Sequence, residues 1–252
     1  MVLVIFKFKQ NIHGLGDVIR GLISVLQLKT ELNFDLFVDM EPHAISKYLK
    51  YDLKMQYDDI CQDFLNNSNN NKIIYKNIKK YIMKFSKMKQ ICIYTNCYPL
   101  FVLSKNIKDY MKNLLSFNDD FLEHFKTRLD MMPNDYTLYH FRLGDSYLID
   151  DKKANNINVL INMMGKYKKK NSVLISDSLE FKKNISLKFN DVFVYLNRPI
   201  HCIKEDVDID TFIDFCLIKN SKEIYSYSSY GNISGFVNWI SNIYNIPLKK
   251  IN

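Results

Sequence analysis

The 252-residue chain contains no Cys-x-x-Cys pair, and its five cysteines (Cys61, Cys92, Cys97, Cys202, Cys216) fall at irregular intervals. That excludes the usual zinc-binding patterns. An odd, scattered set in a chain of this length argues against a disulfide framework and for a reducing compartment. No apolar run approaches the ~20 residues that cross a bilayer. The opening Met1-Val2-Leu3-Val4-Ile5-Phe6 is too short for a secretory leader, lacks a basic start and runs into Lys7 and Lys9. It is expected to be a first buried strand. The third glycine of a dinucleotide fingerprint is also missing: Gly14-x-Gly16 is followed only by Gly21. No internal repeat is visible.

What is present is the mixture of an ordinary globular protein, 47% hydrophobic and 25% charged. The length accommodates one large domain or two of about 100–150 residues each. A net charge of +8 suits anionic ligands: nucleotides, nucleic acid or an acidic surface. The charge is spread out, and the short runs Lys79-Lys80 and Lys168-Lys169-Lys170 read as solvated helix faces, which makes nucleic acid the weaker of these alternatives. A bias to Asn, Ile, Lys and Tyr resembles that of an AT-rich coding sequence and carries no functional information.

Short apolar runs alternate with helical periodicity, which points to an α/β protein with parallel sheets flanked by helices. Strands are expected at 2–8, 34–38 and 91–94, a helix after Asp17 and further helices near 105–115 and 118–130. The Asn-rich stretch 66–71 is expected to be a surface loop or insertion. Pro133-Asn134-Asp135 breaks the pattern and sets a boundary between domains 1–133 and 134–252. Beyond it, strands are expected at 136–142, 172–176, 191–195 and 223–227. Helices are expected at 156–169, 178–188, 207–219 and 232–245. Two such halves imply two Rossmann-like domains facing a cleft.

Four segments carry chemistry. Gly14-x-Gly16 at a strand-to-helix turn brings backbone close to a phosphate at a helix N-terminus, or is an ordinary tight turn. Asp17 would repel a phosphate and is an N-cap candidate. His140-x-Arg142-x-Gly144-Asp145 follows a strand: the guanidinium fits a diphosphate, the ring donates or accepts, and Asp145 orients either one or caps the next element. The alternative is a surface Arg–Asp ion pair beside a core histidine. Asp150 and Asp151 are either solvated acids or a base for an acceptor hydroxyl. In Ser176-Asp177-Ser178, Asp177 either bonds a ribose or base or N-caps the helix beginning near Leu179. Asp214-Phe215-Cys216-Leu217-Ile218 precedes a strand ending in Ser228-Ser229-Tyr230-Gly231. Paired serines at a helix N-terminus make an anion site, or simply a cap. Phe236 and Trp239 are expected in the core.

Taken in order, these segments resemble the GDP-fucose-dependent fucosyltransferases of the α1,2/α1,6/protein-O-linked superfamily. Gly14-Leu15-Gly16-Asp17 is similar to its N-terminal glycine motif and His140-Phe141-Arg142-Leu143-Gly144-Asp145 to its HxRxGD motif. Ser176-Asp177-Ser178 resembles the Ser/Thr-Asp-Asp motif, with Ser178 in place of the second acid. The segments from Asp214 and through Ser228-Ser229 resemble the third motif. The resemblance implies two facing Rossmann-like domains (the GT-B architecture), the donor held mostly by the C-terminal one. It implies an inverting glycosyltransferase of glycan biosynthesis that moves L-fucose from GDP-fucose to a glycan or peptide hydroxyl without a metal or other cofactor. Arg142 would hold the β-phosphate, His140 approach the nucleotide, Asp214 read guanine, and Ser228 or Ser229 contact the diphosphate. Gly14, Gly16, Asp145 and Asp177 would complete the donor site. The base position of the α1,6 branch falls on Asp150.

Without a leader or membrane anchor, a cytoplasmic enzyme is expected, in a bacterium or in the host cytoplasm of a large virus. Its partners are then the GDP-sugar and the acceptor rather than nucleic acid, with oligomeric state open. Two rivals stand beside this reading. One is a metal-dependent glycosyltransferase using the acids of Glu205-Asp206-Val207-Asp208-Ile209-Asp210, a run that also suits a helix start. The other is a nucleotide- or glycan-binding protein of the same fold without turnover.

Overall fold

The computed structural model describes residues 1–9, 14–51, 54–57, 60–66, 70–144, 157–197 and 209–251. The chain forms two compact units, Met1–Phe117 and Asn118–Asn252.

The first unit runs β1 (Leu3–Lys7), α1 (Leu15–Leu32), β2 (Asp35–Asp39), a 3-10 turn (Ala44–Tyr48), β3 (Cys61–Phe64), α2 (Asn71–Lys84), β4 (Gln90–Thr95) and α3 (Lys105–Leu114). Its sheet has the order β2-β1-β4-β3, with every pair parallel. Val4, Ile5 and Phe6 are all fully buried, as successive residues must be in a strand covered on both faces. Helix α1 buries Val18, Ile19, Leu22, Ile23 and Leu26 on the expected stripe. It begins at Leu15 with Gly14 as the capping residue, so Asp17 is not the cap. Asp17 lies in the first turn instead, where its charge complements the helix dipole and pairs with Arg20 at 3.0 Å. The helix stops at Asn33, which takes the left-handed conformation (φ 51°) and returns its amide to the Lys29 carbonyl.

A polar stripe on α1 is satisfied by the segment leaving β4. Arg20 Nε donates to the Asn96 carbonyl at 2.6 Å and Ser24 Oγ to the Cys97 carbonyl at 2.9 Å. Gln27 both donates to the Phe101 carbonyl and accepts from the Leu100 amide. Between these contacts lies Gly21, where a Cβ would stand 1.7 Å from the Thr95 carbonyl oxygen. The glycine left over from the failed fingerprint thus sets helix-to-strand spacing. Elements β3 and α2 fall outside the expected set. Cys61-Gln62-Asp63-Phe64 has no apolar alternation, and the Asn-rich stretch gives way to helix at Asn71, whose Oδ1 accepts from the Tyr98 amide.

The second unit runs α4 (Asp119–Leu129), β5 (Thr137–Arg142), α5 (Ile157–Tyr167), β6 (Ser172–Ser176), α6 (Leu179–Lys188), β7 (Val192–Val194), α7 (Asp210–Lys219), β8 (Glu223–Ser228), α8 (Gly235–Tyr244) and β9 (Leu248–Lys250). Its strands pair in parallel in the order β7-β6-β5-β8-β9. Tyr139 and Phe141 of β5 and Leu174 of β6 meet Leu160, Ile161 and Met164 of α5 and Phe181 and Ile185 of α6 in one apolar cluster. Each such side chain contributes roughly 1.5–3 kcal/mol on burial.

The division between units falls at Phe117, ahead of the expected boundary at Pro133, and the contacts on either side explain it. Phe117 bridges to Leu49, and the Lys50 amide donates to the Ser116 carbonyl. Asn118 then caps α4 through the Phe121 amide, and Arg128 of that helix donates to the Tyr195 hydroxyl just beyond β7.

Gly21→Ala should cost about 3 kcal/mol or more, because the added methyl meets backbone that cannot rotate away. A urea-unfolding midpoint equal to that of the wild type would reject this account of the α1–β4 approach.

Candidate functional site

Ligands of open parallel sheets bind beyond the carboxyl ends of the strands, where the connections diverge to opposite sides. In the second unit this point lies between β5 and β8. From β5 the chain works outward through β6 and β7, then returns to β8 and continues to β9. The register places His140 opposite Ser226 and Arg142 opposite Ser228. Side chains alternate along a strand, so these four share the sheet face opposite the Tyr139–Phe141 cluster.

Arg142 is the last residue of β5, half-buried, with its guanidinium 5.9 Å from the centre of the Tyr230 ring. The backbone that carries it is gripped from both neighbouring strands. On the β8 side, the Ser229 amide donates to the Arg142 carbonyl at 2.9 Å, and Ser229 Oγ donates to the Leu143 carbonyl at 2.7 Å. On the β6 side, the two oxygens of Asp177 accept the amides of Leu143 at 2.7 Å and Gly144 at 2.9 Å. Gly144 has φ 141°, a backbone conformation that L side chains rarely adopt, so a glycine is needed there. Ser176 Oγ adds a bond to the Phe141 carbonyl at 2.8 Å.

This arrangement corrects two expectations. Asp177 does not cap the helix after β6; Ser178 does, accepting from the Phe181 amide at 3.2 Å, while Asp177 holds the β5 loop. Nor do Ser228 and Ser229 stand at a helix N-terminus. Helix α8 begins at Gly235, preceded by Ser234, and Ser228 Oγ accepts the Tyr230 amide inside the turn that leaves β8. Phe236 and Trp239 are half-buried rather than core, with Phe236 set against Phe215 at 6.2 Å.

Electrostatics separate the charged members of the site from the neutral one. His140 is buried, and its Nδ1 lies 3.0 Å from Ser226 Oγ. Burial, then the nearby Arg142 charge, push its pKa down to about 3, so the ring is neutral at neutral pH. For Asp177, burial raises the pKa, opposed by the Leu143 and Gly144 amides and by Arg142. Asp214 is buried on α7.

The structure thus brings His140, Arg142, Asp177, Ser228 and Ser229 to one sheet edge of the second unit. Gly14 and Gly16 lie at the start of α1 in the first unit, both with ordinary backbone angles. Asp145, Asp150, Asp151 and the acids at 205, 206 and 208 lie outside the described residues. Among the described residues, no three His, Cys, Asp or Glu side chains converge as metal ligands would. Two side chains were not foreseen. Tyr230 forms the ring under Arg142, and Lys182 is an entirely buried lysine on α6. The one available signal for the latter was a lysine at a core position between Phe181 and Ile185.

Two buried rings make the fold acid-sensitive. His43, whose pKa burial lowers to about 4, and His140 at about 3 both stay neutral in the native state while the unfolded chain protonates them near 6.5. The unfolded state therefore binds more protons below pH 6.5, and stability falls as pH drops through that value towards 4. The slope should approach about 1.4 kcal/mol per pH unit for each ring. Urea midpoints at pH 7, 6 and 5 check this, and His140→Asn should remove about half the slope. A midpoint that does not move between pH 7 and 5 would contradict it.

No family model matches the sequence, and no curated protein matches it. Solved structures do. A NodZ α-1,6-fucosyltransferase soaked with GDP-fucose superposes with a TM-score of 0.57 at 12% identity, covering 96% of this chain and 92% of that one. POFUT1 in complex with GDP-fucose gives 0.56 at 9% identity, covering 100% and 98%. A mutant of Arabidopsis thaliana FUT1 in complex with GDP gives 0.60 at 10% identity, covering 99% and 70%. Across both α/β units, this chain has the fold of these fucosyltransferases.

Proposed function

We propose that the protein is an inverting glycosyltransferase that moves L-fucose from GDP-fucose to a hydroxyl of a glycan or peptide. The observation that carries this reading is the placement of Arg142. It ends β5 at the divergence point of a parallel sheet, on a loop fixed by Asp177 and Ser229, in a fold shared with structures that hold GDP-fucose. A guanidinium held this way offers several donors to a β-phosphate at little further ordering cost. Neutral His140 adds a polar ring without a second cation.

In this mechanism the acceptor oxygen attacks the anomeric carbon from the face opposite the diphosphate, and the new C–O bond inverts the centre. The bond between that carbon and the β-phosphate oxygen breaks, and its electron pair leaves on GDP. Arg142 stabilises the charge that develops on that oxygen, while Ser228 and Ser229 line the same edge. Asp150 takes the acceptor proton, and Asp145 and Asp214 serve the loop and the base of the nucleotide. Gly14 and Gly16 offer, at the start of α1, backbone suited to a phosphate. The Arg142 guanidinium offsets diphosphate charge in place of a cation.

Among the described residues no helix is long and apolar enough to cross a membrane. Cys61, Cys97 and Cys216 are free thiols, which supports work in a reducing, cytoplasmic compartment.

A thermal-shift series with GDP, UDP, ADP and their sugar conjugates tests the donor. GDP at one hundred times its dissociation constant should stabilise by about 2.7 kcal/mol, and preference for UDP or ADP would overturn the donor assignment. Arg142→Ala should lower GDP-fucose turnover by about a hundredfold to a thousandfold, in EDTA as in its absence, with the urea midpoint little changed. Undiminished turnover in that variant would defeat the role of Arg142. GDP binding with no turnover on any acceptor would favour the non-catalytic alternative.

A further inference from the structure

Lys182 lies on the buried side of α6 between Phe181 and Ile185, and none of it reaches solvent. An apolar residue would be the ordinary choice at such a position. An isolated ammonium withdrawn from water costs several kcal/mol unless acceptors and counter-charges surround it. Both are present. Nζ donates to the carbonyl oxygen of Asn197 and, at 2.7 Å, to its side-chain Oδ1. The Lys182 amide donates to the Ser178 carbonyl, which places the side chain one helical turn beyond the turn that carries Asp177.

Among the described residues, the charged groups acting on this ammonium are Asp214 of α7 and Asp177 at the end of β6. Asn197 supplies neutral acceptors from the segment after β7, and Arg142 acts on the cluster through Asp177. Asp177 in turn holds the Leu143 and Gly144 amides. A carboxylate accepts both amides, whereas its protonated form would turn a hydroxyl towards a donor.

We propose that Lys182 is a positioning residue of the donor site: its buried ammonium, anchored on Asn197, is the counter-charge shared by Asp177 and Asp214, and through Asp177 it fixes the loop that aims Arg142. The assignment to a donor site rests on the function proposed above. The ammonium itself is sensitive to pH, because burial lowers its pKa to about 8 against the opposing pull of Asp214 and Asp177. The counter-charge is therefore lost as pH rises through that value.

Two measurements test the proposal. The first follows the Lys182 ¹³Cε resonance, identified by its loss in Lys182→Arg. Its titration midpoint should fall by about one pH unit or more in Asp177→Asn and likewise in Asp214→Asn. A midpoint unmoved in both variants overturns the shared-charge arrangement. The second records kcat and KM for GDP-fucose turnover from neutral to alkaline pH. Wild-type kcat/KM should decline above about pH 8, and Lys182→Arg, which keeps its charge, should carry that decline to higher pH. Lys182→Met should lose about tenfold or more in kcat/KM at neutral pH and show no such decline. A folded Lys182→Met protein with the wild-type kcat, KM and pH profile overturns the positioning role. If the wild type neither binds nor turns over GDP-sugars, the functional reading has failed, and the ¹³Cε titration still decides the charge relation by itself.

Discussion

The candidate site depends on one carboxylate meeting two backbone amides. Where β5 ends, the amides of Leu143 and Gly144 have left the sheet ladder and need acceptors. Asp177, buried at the end of the adjacent strand, needs donors for the opposite reason. Each side satisfies the other, and the left-handed backbone at Gly144 lets successive amides address one carboxyl group. Ser229 closes the same loop from β8, so the guanidinium of Arg142 projects from a backbone restrained on two sides. A flexible arginine on an unrestrained loop would have to be ordered by its ligand. Here much of that entropy has already been lost on folding.

The first unit solves a comparable problem differently. Its glycine turn has ordinary backbone angles, and rigidity comes from a polar stripe on α1 that reads the backbone of residues 96–101. Gly21 makes that reading possible by letting the helix come down onto Thr95. A glycine that spoils a phosphate-binding pattern in the sequence is thus essential to packing in the fold.

Four of the five strands of the second unit were legible as short runs rich in β-branched and aromatic residues between polar turns, and the position of Arg142 at a strand end followed from them. Leu248-Lys249-Lys250 (β9) carries no such pattern and was not expected. Cap identity was not legible. Asp177 and Ser178 are both good caps, and only the third dimension reveals that the loop after β5 has claimed the aspartate. The same competition displaced Asp17, because α1 starts as soon as Gly14 allows and leaves the aspartate inside its first turn. Strand β3 was invisible because Cys61-Gln62-Asp63-Phe64 gains its place from pairing with β4 and not from its own pattern. The role of Lys182 was equally hidden, since a lysine in a helix ordinarily marks the solvated side.

Four positions among the described residues adopt left-handed backbone without being glycine: Asn33, Asp135, Asn171 and Asn245. Asn33 ends α1 and Asn245 ends α8, the places where glycine is the commonest stop. Every glycine codon begins with two guanines, whereas asparagine codons begin with two adenines. Asparagine is among the few L residues that accept this conformation, by hydrogen-bonding its own neighbourhood. A gene drifting towards adenine and thymine can therefore exchange one helix stop for the other and keep its fold. Two helices of this chain are punctuated by asparagine, and a search for glycine stops would run straight past both of their ends.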